Sequence, residues 1–207
     1  MSAGGEPVGE GLTIVPATAE RWDDITVLLD GSEDRGCWCQ PWRGVAGGYG
    51  TAEPGSRPAA LRAQLDLPVP PGFVAYLGAE PVGWCGVVVR TEAPRLVKSR
   101  TIPAIDDAPV WVIGCFRIRV GYRRRGVARA LLDHVIEAAR DAGAPGVEAY
   151  PIDPEGRRVD VGFAFVGIAS MFDKAGFRRV LETGAHSAGL PRLLVRFDFD
   201  EGSRIRG

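Results

Sequence analysis

The run from Val110 to Leu132 constrains the fold more than any other part of the chain. It begins as a near-continuous apolar strand, Val110-Trp-Val-Ile-Gly-Cys-Phe116, of the kind buried at the centre of a sheet. It enters a tight basic turn, Arg119-Val-Gly-Tyr-Arg-Arg-Arg-Gly126, and opens directly onto a helix. That helix, predicted over Gly126 to Ala142, puts Val127, Ala130, Leu131, His134, Val135 and Ala138 on one side, and Gly143 stops it. Between Arg117 and Arg129 there are six arginines and no acid. The first N–H groups of a helix have no internal acceptor and carry the positive end of its dipole, so such a terminus binds phosphate. Gly126 has no Cβ to keep an anion from the backbone, and Ala128 is the next smallest residue. The stretch suits a pyrophosphate or an equivalent polyanion. It is neither GxxxxGK[ST] nor GxGxxG, so neither nucleotide loop explains it. A solvated basic turn before an ordinary amphipathic helix is the alternative.

Around this segment the pattern alternates. Leu12 to Pro16, Phe73 to Leu77, Val82 to Val89, Val110 to Val120, Val147 to Tyr150, Phe177 to Leu181 and Leu193 to Phe199 read as strands. Ala19 to Asp30, Arg57 to Leu67 and Gly167 to Ala175 read as further helices. The intervening stretches 31–58, 91–109 and 151–162 read as loops. The expectation is one α/β domain over 12–199, a mixed and mostly antiparallel sheet of about six to seven strands flanked by about four helices. Residues 1–11 and 200–207 are expected to be tails.

Composition narrows the partners. The chain has 207 residues, 45% hydrophobic and 25% charged, with a net charge of −1, which excludes wholesale disorder and an extended polyanion as partner. Since +6 lies within 117–129, the remainder carries −7, and the neutrality conceals an uneven distribution. Only Lys98 and Lys174 are lysines, so most of the arginine excess reads as codon bias. No apolar run of about 18 residues is present and the N-terminus has no signal-peptide pattern. With four cysteines (Cys37, Cys39, Cys85, Cys115) the expectation is a reduced, cytoplasmic protein without nucleic-acid or membrane partners.

Arg123-x-x-Gly126-x-Ala128, after an apolar strand and at a helix start, resembles the acyl-CoA pyrophosphate motif of the GNAT N-acetyltransferase superfamily. Ser170-Met-Phe-Asp-Lys-Ala-Gly-Phe177 resembles that family's second signature, a short helix ending in Gly-Phe before a strand. The Cys37-Trp-Cys-Gln-Pro-Trp42 run, Gly83-Trp-Cys85 and Glu148-Ala-Tyr-Pro-Ile-Asp153 resemble a bacterial subgroup of unsettled substrate. The resemblance covers about residues 12–199. It implies acetyl transfer from acetyl-CoA to a primary amine of a small molecule or peptide, by direct attack in a ternary complex. It implies that the motif strand and the next strand splay apart, with Phe116, Arg117, Ile118, Arg119 and Val120 pairing with the pantetheine arm. Arg123 opens the motif, and the backbone of Arg124, Arg125, Gly126, Val127, Ala128 and Arg129 would hold the pyrophosphate. A homodimer is compatible with the resemblance.

The pattern also departs from the family. The position that often carries a Tyr acid for the thiolate is Phe172, which cannot donate a proton and is expected only to contact the cofactor. Ser170, two residues earlier, either offers a hydroxyl to the sulfur or packs as a small helix residue. The motif strand has no Glu around Val112, and Glu148 is the nearest substitute base, with Asp107 and Asp153 as loop carboxylates; an amine that arrives neutral needs no strong base. These departures leave a catalytically silent CoA-binding sensor as the rival reading. Cys115 reads as a buried thiol and His134 as a core histidine. Cys37 and Cys39 have the wrong spacing for a zinc knuckle, so no metal is expected. Trp38 and Trp42 either line the acceptor pocket or pin a long loop, and Gly44 to Gly55 reads as a candidate lid.

Overall fold

Seven strands form one sheet: β1 (Leu12–Pro16), β2 (Gly72–Leu77), β3 (Glu80–Val89), β4 (Trp111–Ile118), β5 (Gly146–Ala149), β6 (Arg178–Ser187) and β7 (Leu190–Asp198). Their spatial order is β1-β2-β3-β4-β5-β7-β6. Only β4 and β5 are parallel; every other neighbouring pair is antiparallel. This computed structural model describes residues 11–29, 36–43, 53, 55–154, 156–157, 164–187 and 189–199. The expected tails and most of the candidate lid Gly44 to Gly55 lie outside the described residues.

The helices are α1 (Trp22–Leu29), α2 (Ser56–Arg62), α3 (Pro94–Val97), α4 (Val127–Asp141) and α5 (Ala169–Asp173). The α/β reading therefore holds, with one helix more than expected. That helix, α3, is a single turn begun by Pro94, whose fixed φ suits a first helical position. Four residues are too few to show a helical period in the sequence. No helix among the described residues is long and apolar enough to cross a membrane.

Strand alternation sends side chains to two cores. One face packs Phe73, Cys85, Phe116 and Val195 against Val127, Leu131 and Val135 of α4. The other packs Val74, Trp84 and Cys115 against Ile25, Leu28 and Leu29 of α1 and Leu61 of α2. Two strand ends differ from expectation. β4 stops at Ile118, so Val120, 81% exposed, lies beyond the strand. β6 runs on through the polar stretch Glu182 to Ser187, because β7 supplies ladder partners at the sheet edge despite two register shifts.

Candidate active site

The central strands diverge part-way along. β4 pairs with β5 only through Trp111–Val147, Val112–Glu148 and Ile113–Ala149. Beyond Ala149 the chain turns away, and Ile152 bridges to Ile168 and Arg192 instead. The stretch of β4 from Gly114 to Ile118 has no strand partner on that side among the described residues. On its other edge β4 keeps its ladder to β3, with a bulge at Gly114 where the register shifts between Gly86 and Val87.

At one end of this open stretch is the basic turn. Gly121, Arg124 and Gly126 have φ of +95°, +59° and +89°, the left-handed values that carry the chain from strand into helix. A Cβ on Gly126 would meet nothing within 4 Å, so the space over the helix terminus is open. The first internal bond of α4 runs from Ala130 N–H to the Gly126 carbonyl at 3.0 Å, and the amides before it point outward. The arginines divide into two groups. Arg119 pairs with Glu80 at 2.7 Å and Arg129 grips both oxygens of Asp133 at 2.8 Å. Glu80, 39 residues before Arg119, and Asp133, one helical turn after Arg129, therefore neutralise two of the six charges. Arg123 Nε donates to the Ile118 carbonyl at 3.1 Å, bracing the turn. Arg124 is exposed.

At the other end is a cavity of about 230 Å³, lined by Cys37, Cys39, Pro41, Trp42, Arg43, Gly86, Val87, Val88, Gly114, Cys115, Phe165 and Arg192. Its walls are largely apolar, and the charged lining side chains among the described residues are two guanidinium groups. Arg43 donates to Gln64 Oε1 at 2.9 Å and to the Pro71 carbonyl at 3.1 Å. The Arg192 guanidinium lies over the Trp42 ring, 5.5 Å from its centroid.

A family model for the GNAT acetyltransferases matches residues 40–158, more than half of the chain. The chain belongs to the GNAT acetyltransferase family. Solved structures overlie almost all of it at low identity. A GCN5-related N-acetyltransferase from Kribbella flavida is 14% identical with a TM-score of 0.56, covering 92% of this chain and 99% of that one. A GNAT acetyltransferase from Streptococcus agalactiae is 16% identical with a TM-score of 0.55, covering 93% and 98%. The NatC complex bound to Gag peptide and CoA is 13% identical with a TM-score of 0.56, covering 91% and 99%. No curated protein sequence matches the chain.

Within this GNAT domain the catalytic residues expected from sequence are not brought together. Glu148 is fully buried: Oε1 accepts from Arg196 Nη1 at 2.9 Å, and Oε2 accepts from Arg90 Nη1 at 2.8 Å and from the Tyr150 hydroxyl at 2.9 Å. The carboxylate is thus enclosed in an ion-pair network with two guanidiniums and is shut off from solvent, unlike the accessible base that the sequence suggested. Ser170 is exposed on α5, whereas Phe172 is fully buried among Phe116 and Phe177, at centroid distances of 6.3 and 5.2 Å. Phe172 therefore packs with Phe116 and Phe177 in the core. Asp107 is exposed, and Asp153 pairs with Arg179 at 2.6 Å. His134 sits edge-on to Phe73 at 5.0 Å, and burial holds its imidazole below the ordinary value.

The two tryptophans of the Cys-rich run separate. Trp42 lines the cavity, while Trp38 is buried and stacks on Trp22 with centroids 5.7 Å apart. Sequence reasoning missed Arg43 and Arg192 as cavity residues. Nothing in their local pattern distinguishes them from the other arginines.

Proposed function

We propose that this chain is an acyl-CoA-dependent N-acyltransferase that moves an acetyl group from acetyl-CoA to a primary amine of a small molecule or peptide. The observation that carries the reading is the unpaired stretch of β4, with an anion-ready helix terminus at one end and a cavity at the other. The unpaired stretch itself, Gly114 to Ile118, is about 13 Å long. Open strand edge, left-handed Gly126 and outward amides all fit the cosubstrate, whose thioester supplies the activated acyl group. The backbone of Phe116, Arg117 and Ile118 would pair with the pantetheine arm, and that of Arg123 to Arg129 would hold the pyrophosphate. Direct attack needs a neutral amine. The apolar walls and the nearby Arg43 and Arg192 guanidiniums disfavour an ammonium ion by desolvation and like charge, so the cavity itself promotes the reactive form. Thiolates leave readily, and exposed Ser170 is the hydroxyl available on α5.

Calorimetric titration with acetyl-CoA tests the binding half, and absence of binding at millimolar concentration overturns it. Release of free CoA across an amine panel tests the transfer half. The silent CoA-binding sensor keeps two observations in its favour: Glu148 is shut away and Phe172 carries no hydroxyl. Tight acetyl-CoA binding without turnover of any amine would select it.

A further inference from the structure

Cys39 and Cys115 are 76 residues apart in sequence, yet their Sγ atoms lie 2.6 Å apart in the wall of the acceptor-side cavity. Several independent features produce this approach. Trp38 and Cys39 are consecutive non-glycine residues with φ of +46° and +53°, a conformation that L residues avoid and that turns the Cys39 thiol toward β4. Tertiary contacts hold that turn: Trp38 stacks on Trp22, and Gln40 Nε2 donates to the Trp38 carbonyl at 3.1 Å. The Trp84 indole N–H donates to Cys39 Sγ at 3.0 Å. A Cβ at Gly86 would lie 2.8 Å from Cys39 Sγ and 3.3 Å from Cys115 Sγ, so only glycine leaves room for both sulfurs.

We infer that Cys39 and Cys115 are a reversible disulfide site that ties the loop wall of the cavity to β4. With a peroxide as oxidant, one sulfur attacks a peroxide oxygen, forming a sulfenic acid and releasing water. The second sulfur then displaces the hydroxyl, which leaves as water with the thiol proton. The two sulfurs give up two electrons and the peroxide accepts them. A dithiol reductant reverses the bond by exchange and restores both thiols. Both cysteines line the cavity, which is the route by which the oxidant would reach them. The cross-link fixes Trp42 and Arg43, three and four residues after Cys39, in the position from which they line it. The site does not depend on the acyl-transfer reading.

Intact-mass measurement of the full chain before and after peroxide treatment is the direct test. The expected result is a loss of about 2 Da, reversed by dithiothreitol, with non-reduced peptide maps joining Cys39 to Cys115. Amide exchange over residues 36–43 should slow about tenfold in the oxidised form, because the loop gains a covalent tie. Cys39→Ser or Cys115→Ser should abolish the mass loss, whereas Cys85→Ala, which alters the opposite face of the sheet, should retain it. The wild-type measurement stands even if a serine variant fails to fold. Oxygen addition at either sulfur without cross-linking, a bond through Cys37, or no change overturns the inference.

Discussion

Arg90 Nη1 lies 2.8 Å from Glu148 Oε2, with 4% and 0% of the two side chains exposed. Arg196 reaches the other carboxylate oxygen and extends the pair to Asp106 and Asp198. Removing the carboxylate leaves the buried Arg90 guanidinium without this counter-charge and takes from Arg196 one of its three carboxylate partners. Glu148→Ala should therefore cost about 3–5 kcal/mol of stability, read from denaturant unfolding. The conservative Glu148→Gln separates structure from chemistry: the pH profile of turnover should keep its shape. Loss of an ascending limb in that variant would restore Glu148 as the proton acceptor.

Gly126 is the position that tests the proposed cosubstrate site. Gly126→Glu adds a negative charge where the phosphates would lie and forces a side chain into left-handed backbone. Affinity for acetyl-CoA should fall at least about 100-fold, while stability drops by only about 1–2 kcal/mol. Calorimetry and thermal melts read the two effects separately; retained affinity would refute the position given to the pyrophosphate.

The paired tryptophans should behave differently. Trp38→Ala empties a core site stacked on Trp22 and should lower stability by about 3–5 kcal/mol. Trp42→Ala should leave acetyl-CoA affinity unchanged but raise KM for the amine, since Trp42 faces the cavity. Equal effects of the two on KM would mean that the cavity is not the acceptor site.

Tyr76 gives a pH signature. Burial, followed by the hydrogen bond to Asp24, pushes its phenol up to about 12. The Tyr76 hydroxyl donates to Asp24 Oδ2 at 2.6 Å and ties β2 to α1. A folded value above the unfolded value of about 10 means that this contribution is complete below pH 10 and is lost as pH rises through 12. Alkaline melts should show Tyr76→Phe losing less Tm than wild type across that interval. Parallel curves would remove Tyr76 as the source.

The architecture of residues 110–143, on which the proposed cosubstrate site rests, was legible because strand, glycine turn and amphipathic helix are local properties. The turn at Gly126 and the stop at Gly143 follow from backbone stereochemistry that neighbouring residues set. The acceptor side was not legible in the same way. Glu148 reads in sequence as a carboxylate near the centre, and only the arrival of Arg90 from the turn after β3 and Arg196 from β7 encloses it in ion pairs. Phe172 fits a signature position by counting, and only packing against Phe116 and Phe177 hides it.

The sequence alone therefore determined the α/β class, the strand–turn–helix around Gly126 and the family resemblance, since each depends on periodicity or on residues within a few positions. The tertiary structure decided which arginines are neutralised, which tryptophan meets the cavity and that Cys39 meets Cys115. Those outcomes depend on burial and on partners that are tens of residues away along the chain.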